Sequence, residues 1–150
     1  MGQYADCYVL TNNRTKKFVV DFLEAFIPNR KEQADVYEIP QYGKETITEF
    51  NSADGLIGYL EINVNTPHTI YWENLDNGQV RFASCFFTDD NNLIIGLASD
   101  ADEGIEDELL KRLINYCKST DGYITYEQPA PHNTSEFKKI VESTNAQQKL

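Results

Sequence analysis

Residues 69–99 read TIYWENLDNGQVRFASCFFTDDNNLIIGLAS, three apolar runs separated by two polar punctuation marks. Each run is rich in aromatic and β-branched residues, and strands favour both kinds. Asn77-Gly78 is the pair that a two-residue type I′ turn prefers, because both of its positions need positive φ. Asp89-Asp90-Asn91-Asn92 supplies the second break. The stretch therefore predicts a three-strand antiparallel meander, Thr69–Leu75, Gln79–Thr88 and Leu93–Ser99.

Turn chemistry also predicts register. With Asn77-Gly78 at the first tip, Trp72 faces Ala83 and Ile70 faces Cys85. With Asp90-Asn91 as a two-residue second tip, Cys85 faces Gly96 and Ala83 faces Ala98. On that pairing one face carries Ile70, Trp72, Ala83, Cys85, Phe87, Ile94, Gly96 and Ala98. Its centre is small and its border large, which suits either a closely packed helix or a shallow docking pocket.

Outward from the meander, Ala5–Thr11 reads as a strand and Thr15–Ile27 as a helix with apolar residues at helical spacing. Asp35–Ile39 and Glu45–Phe50 read as short strands. Ser52 caps a short helix weakened by Gly55 and Gly58. About Asp102–Lys118 reads as a long helix, its start marked by the Asp100/Glu103 capping-box spacing. Gly122–Glu127 reads as a last strand. Asn133 and Glu136 open a final helix, and 145–150 a frayed tail. Hairpin-linked strands interspersed with helices imply one α+β domain over 1–150, a mostly antiparallel sheet carrying three to four helices.

The chain has 150 residues and a net charge of -11, from 24 acidic and 13 basic side chains. That field repels phosphate backbones, which argues against nucleic acid, and it attracts a basic protein partner. No stretch approaches the ~18 apolar residues of a membrane span. Cys7, Cys85 and Cys117 are odd in number and widely spaced, which argues against a disulfide framework and for a reducing, cytoplasmic setting.

Motifs of chemistry are sparse. The acidic run 100–108 lacks the glycine and glutamate positions of a calcium loop, and it reads instead as the negative start of a helix, with Asp107–Lys111 and Glu108–Arg112 pairs. Glu106 falls on the apolar stripe of that helix, yet a first turn overhanging the core would let it reach water. His68 and His132 sit in loop-like sequence and read as surface residues. Cys85 lies among phenylalanines and reads as inert. No metal site, no cofactor motif and no nucleophile motif is present.

In size, acidity and single-domain design the chain resembles small bacterial immunity and adaptor proteins, a compositional similarity that carries no residues over. Two functions remain in view. One is a non-catalytic interaction protein that neutralises or adapts to a basic partner, with Trp72, Ile70, Ala83, Gly96 and Glu106 as its binding residues. The other is a small-ligand carrier or enzyme on the same face, using Glu106 or Glu73 as acid or base. On the first reading, truncating Trp72 weakens partner binding by ~2 kcal/mol or more and leaves the fold intact.

Overall fold

A computed structural model describes residues 3–43 and 45–148. The chain runs β1 (Tyr4–Thr11), α1 (Lys16–Phe26), β2 (Arg30–Glu32), β3 (Tyr37–Ile39), β4 (Thr48–Phe50), α2 (Ala53–Ile62), β5 (His68–Asn74), β6 (Phe82–Phe87), β7 (Leu93–Asp100), α3 (Glu106–Cys117), β8 (Gly122–Tyr126) and α4 (Thr134–Gln148). Six strands form one antiparallel sheet in the order β2-β5-β6-β7-β1-β8, and β3 pairs with β4 in a separate ribbon. The fold is α+β. The meander is present as β5, β6 and β7.

Register in the first hairpin is the one the sequence predicts: Trp72 lies opposite Ala83 and Ile70 opposite Cys85. Its turn is not type I′, since neither Asn77 nor Gly78 has positive φ. Asn74 accounts for the difference. Its side chain accepts from the Asp76 N–H and donates to the Val80 carbonyl, while the Leu75 N–H donates to Asn29. An Asx turn thus ends the strand early and leaves a wider loop.

The second hairpin is shifted by one residue from the expected pairing. Ser84, not Cys85, lies opposite Gly96, and Phe82, not Ala83, opposite Ala98. Thr88 and Asn92 close the turn by backbone and side-chain bonds, which leaves Asp89, Asp90 and Asn91 between them. Asn91 takes the left-handed conformation, φ 69°. This is a three-residue turn with asparagine at its left-handed position. A shift of one residue turns every side chain of β7 over.

The two faces therefore differ from the expected ones. One carries Cys7, Val9, Ile70, Trp72, Ala83, Cys85, Phe87, Leu93, Ile95 and Leu97, and it is covered by α1, α2 and α3 through Val19, Phe22, Leu56, Leu60, Leu109 and Leu113. That is the main core. The other carries Tyr8, Leu10, Phe86, Ile94 and Tyr123, covered by Phe137 and Val141 of α4.

Several local expectations also change. The helix expected from Asp102 begins only at Glu106; a 3-10 turn, Ala101–Glu103, and left-handed Gly104 precede it, and Asp100 makes no side-chain cap. Neither carboxylate–base pair on α3 closes to ion-pair distance among the described residues; Arg112 lies over the Phe26 ring instead. Asn133 does cap α4, accepting from the Glu136 N–H. That helix runs to Gln148, so four of the residues expected in a frayed tail belong to it, and Lys149 and Leu150 lie outside the described residues.

Candidate functional site

Sheet register builds a trough on the face that α4 covers only in part. One row across the sheet reads Tyr123, Tyr8, Gly96, Ser84, Tyr71. The next reads Thr125, Asp6, Ala98, Phe82. Large side chains flank Gly96, Ser84 and Ala98, so the middle of the face is low. A cavity of about 390 Å³ lies there, lined among others by Tyr4, Asp6, Tyr8, Tyr71, Phe82 and Ser84, and closed on one side by Glu127, Gln128 and Pro129.

Gly96 makes the floor possible without facing the cavity itself. A Cβ on it would stand 2.4 Å from Ser84 Oγ and 2.8 Å from the Tyr8 ring. Tyr8 lies over that empty position, and its hydroxyl donates to the Gln128 carbonyl at 2.7 Å. The same phenol thereby fixes the segment that walls the cavity. Edge-to-face pairs, Tyr4 with Phe82 and both Tyr8 and Tyr71 with Phe86, hold the aromatic border.

The charged groups are acidic. Desolvation pushes the Asp6 carboxyl up to about 6; the backbone N–H groups of Glu127 and Gln128 oppose that, and the Glu127 charge adds to it. Burial also raises the Tyr8, Tyr71 and Tyr123 phenols, which stay neutral. Glu127 itself has φ 55°, a left-handed conformation that costs a non-glycine residue energy at the cavity wall. No lysine, arginine or histidine lines the cavity among the described residues.

Of the residues expected to bind, Trp72, Ile70 and Ala83 are 2%, 1% and 1% exposed and belong to the main core, and Ala83 is also among the residues that line the cavity. Helices cover them, so they offer no side chain to a partner. Gly96 points to the opposite face because of the one-residue shift in β7. A small-centred face does exist, but it is the reverse of the one expected. Glu106 is buried rather than exposed, beneath the sheet from the cavity: Oε2 accepts from the Tyr126 hydroxyl at 3.0 Å, while Oε1 has no partner. Glu73 pairs with Phe82 but lies outside the cavity lining. His68 is buried as well, with its ring nitrogens near the Thr69 and Glu38 carbonyls.

Asp6 and Tyr8 escape a reading of sequence because β1 joins the meander only through long-range pairing; Tyr71 lies in the meander itself, on the face opposite Trp72. Asp6 carries one usable signal. It is the single charged residue inside the apolar run Ala5–Thr11.

Arg14 escapes it too. The residue is 4% exposed, and its guanidinium donates to five backbone carbonyls, those of Leu60, Asn63, Thr66, Thr88 and Asn92. Desolvation lowers it to about 10, and no carboxylate pairs with it among the described residues. Its role is to tie the end of α2 to the β6–β7 turn.

The remaining candidates carry less chemistry. Among the described residues no group of histidine, cysteine and carboxylate side chains is arranged to hold a metal ion. No described helix is long and apolar enough to cross a membrane. Comparison with known proteins finds no matching family model, no matching curated protein and no matching solved structure.

Proposed function

We propose that the protein is a non-catalytic recognition module for a basic protein partner. The observation that carries this reading is the cavity on the α4 side of the sheet, which joins an aromatic border to carboxylates and, among the described residues, contains no basic side chain. The net charge of -11 extends the same preference over the whole molecule. Long-range attraction raises the encounter rate with a basic surface, and exposed aromatics such as Tyr71 supply contact area once the two have met.

The experiment is capture from lysate on the immobilised chain with a salt gradient. Retained proteins should be predominantly basic, and they should elute as screening shortens the reach of charge to roughly 3–8 Å. A retained set without basic excess, or one indifferent to salt, overturns the reading.

A second reading has one observation in its favour. A carboxyl raised to about 6 in a cavity suits proton transfer on a small ligand. Turnover that is lost in Asp6→Asn would establish it over the first.

A further inference from the structure

We propose that the Asp6 cavity seats a single arginine side chain of that basic partner, its guanidinium facing the carboxylate between the rings of Tyr4, Tyr8 and Tyr71. The inference rests on the recognition reading above and names the group recognised.

Charge complementarity selects a cation. Asp6 and Glu127 are the charged groups of the lining, both negative. The phenols facing Asp6 come from its own strand (Tyr4, Tyr8), from β5 (Tyr71) and from β8 (Tyr123), and Glu127 comes from the segment after β8. None of these can neutralise it. A carboxylate half-removed from water with no cationic partner among the described residues is costly, and an incoming cation relieves that cost.

Shape selects guanidinium over ammonium. An ammonium is compact and strongly hydrated, and it gains most from a tight cage. The cavity is about 390 Å³ and open, with a low floor and upright aromatic borders. A guanidinium is planar, weakly hydrated and able to stack on rings, and its fork of donors suits a carboxylate. Floor and walls also leave room for the apolar stem of the side chain.

Protons provide a signature that general surface charge lacks. Asp6 is about half protonated near pH 6, and a bound cation favours its charged form. Binding should therefore expel protons near pH 6 and none near pH 8.

The test uses the whole chain and three peptides: acetyl-Gly-Arg-Gly-amide, its citrulline counterpart and its lysine counterpart. By NMR titration near pH 7.5 the arginine peptide should saturate with a Kd of roughly mM or tighter, as suits a ligand of this size. The shifts should centre on Asp6, Tyr8 and Tyr71. Citrulline, the neutral isostere, should bind at least about tenfold more weakly, and lysine several-fold more weakly. Calorimetry near pH 6 in buffers of different ionisation heat should show proton release. Asp6→Asn should lose both binding and release; it removes a poorly solvated charge, so the fold should persist.

Equal binding of citrulline, lysine binding as tight as arginine, unaltered binding by Asp6→Asn, or shifts centred on the acidic start of α3 would each overturn the assignment. Peptide failure together with continued capture of basic proteins removes the cavity as their seat and leaves the recognition reading standing. Failure of both removes the two together.

Discussion

Gly96 lies opposite Ser84 across β6–β7, and the Cβ it lacks would stand 2.4 Å from the Ser84 Oγ. On its other side the Tyr8 ring occupies the same vacant position at 2.8 Å. One missing methyl group thus seats two side chains of the cavity at once. Gly96→Val should displace Tyr8 and strain the sheet, at a cost of about 1–3 kcal/mol in chemical denaturation. The Tyr8–Gln128 bond should loosen with it, which exchange of the Gln128 region would report. Unchanged stability would mean that the ring is free to move aside.

Asp6 makes stability depend on pH with a definite sign. Its folded carboxyl titrates near 6 and an ordinary aspartate near 3.8, so the folded state holds the proton more tightly. Protonation therefore stabilises the fold, fully below about pH 4, and the benefit is lost as pH rises through about 6. After allowance for solvent screening the effect is about 1 kcal/mol. Asp6→Asn should be more stable than the parent by about that amount near pH 7.5, and the gap should close near pH 4. A gap that widens toward acid would reverse the assignment.

Trp72 belongs to the core, so its truncation is a test of folding. Trp72→Ala should cost about 3–5 kcal/mol by urea denaturation, as for other buried aromatics. Partner capture should change only as far as the protein unfolds. A folded variant with weakened capture would return Trp72 to the binding surface.

The three cysteines should separate by access. Cys85 is fully buried and desolvation pushes its thiol up; Cys7 is buried and raised to about 12. Cys117 is partly exposed, though desolvation raises it to about 12 as well. A thiol reagent in native buffer should modify Cys117 slowly and the other two only in denaturant, as mass spectrometry of digests would show. Fast modification of Cys85 would contradict its burial.

Sequence reading went as far as local chemistry carries. Helical spacing located α1, Ser52 and Asn133 announced the helices that they cap, and alternating apolar runs located the meander. The first hairpin register came out right although its turn type did not, because the expected symmetric tip and the wider observed loop have the same centre. The second failed on a single residue: asparagine can hold a left-handed position, so the same four letters fit a two- or a three-residue turn. That one ambiguity reversed β7 and put the candidate pocket on the wrong face. β2 is not legible in the sequence because RKE carries no apolar signal; it is held by pairing with β5. Glu106 followed its helical stripe into the core, where the expectation of exposure had set that stripe aside. Asp6 and Arg14 draw their meaning from neighbours remote in the chain, which periodicity cannot join.

Arg14 has a consequence for the order in which the molecule assembles. Its five bonds reach carbonyls 46 to 78 positions away, so they form only after α2 and the β6–β7 hairpin have met. Loops of that length close late, whereas the Thr88–Asn92 bonds that close the Asn91 turn join residues only four apart. The guanidinium therefore cannot choose the register; it acts as a latch on a choice already made. Removing it in Arg14→Met should leave the refolding rate nearly unchanged and hasten unfolding severalfold or more in stopped-flow traces. That outcome would mean that the buried charge confers persistence: once shut, the molecule stays shut for longer.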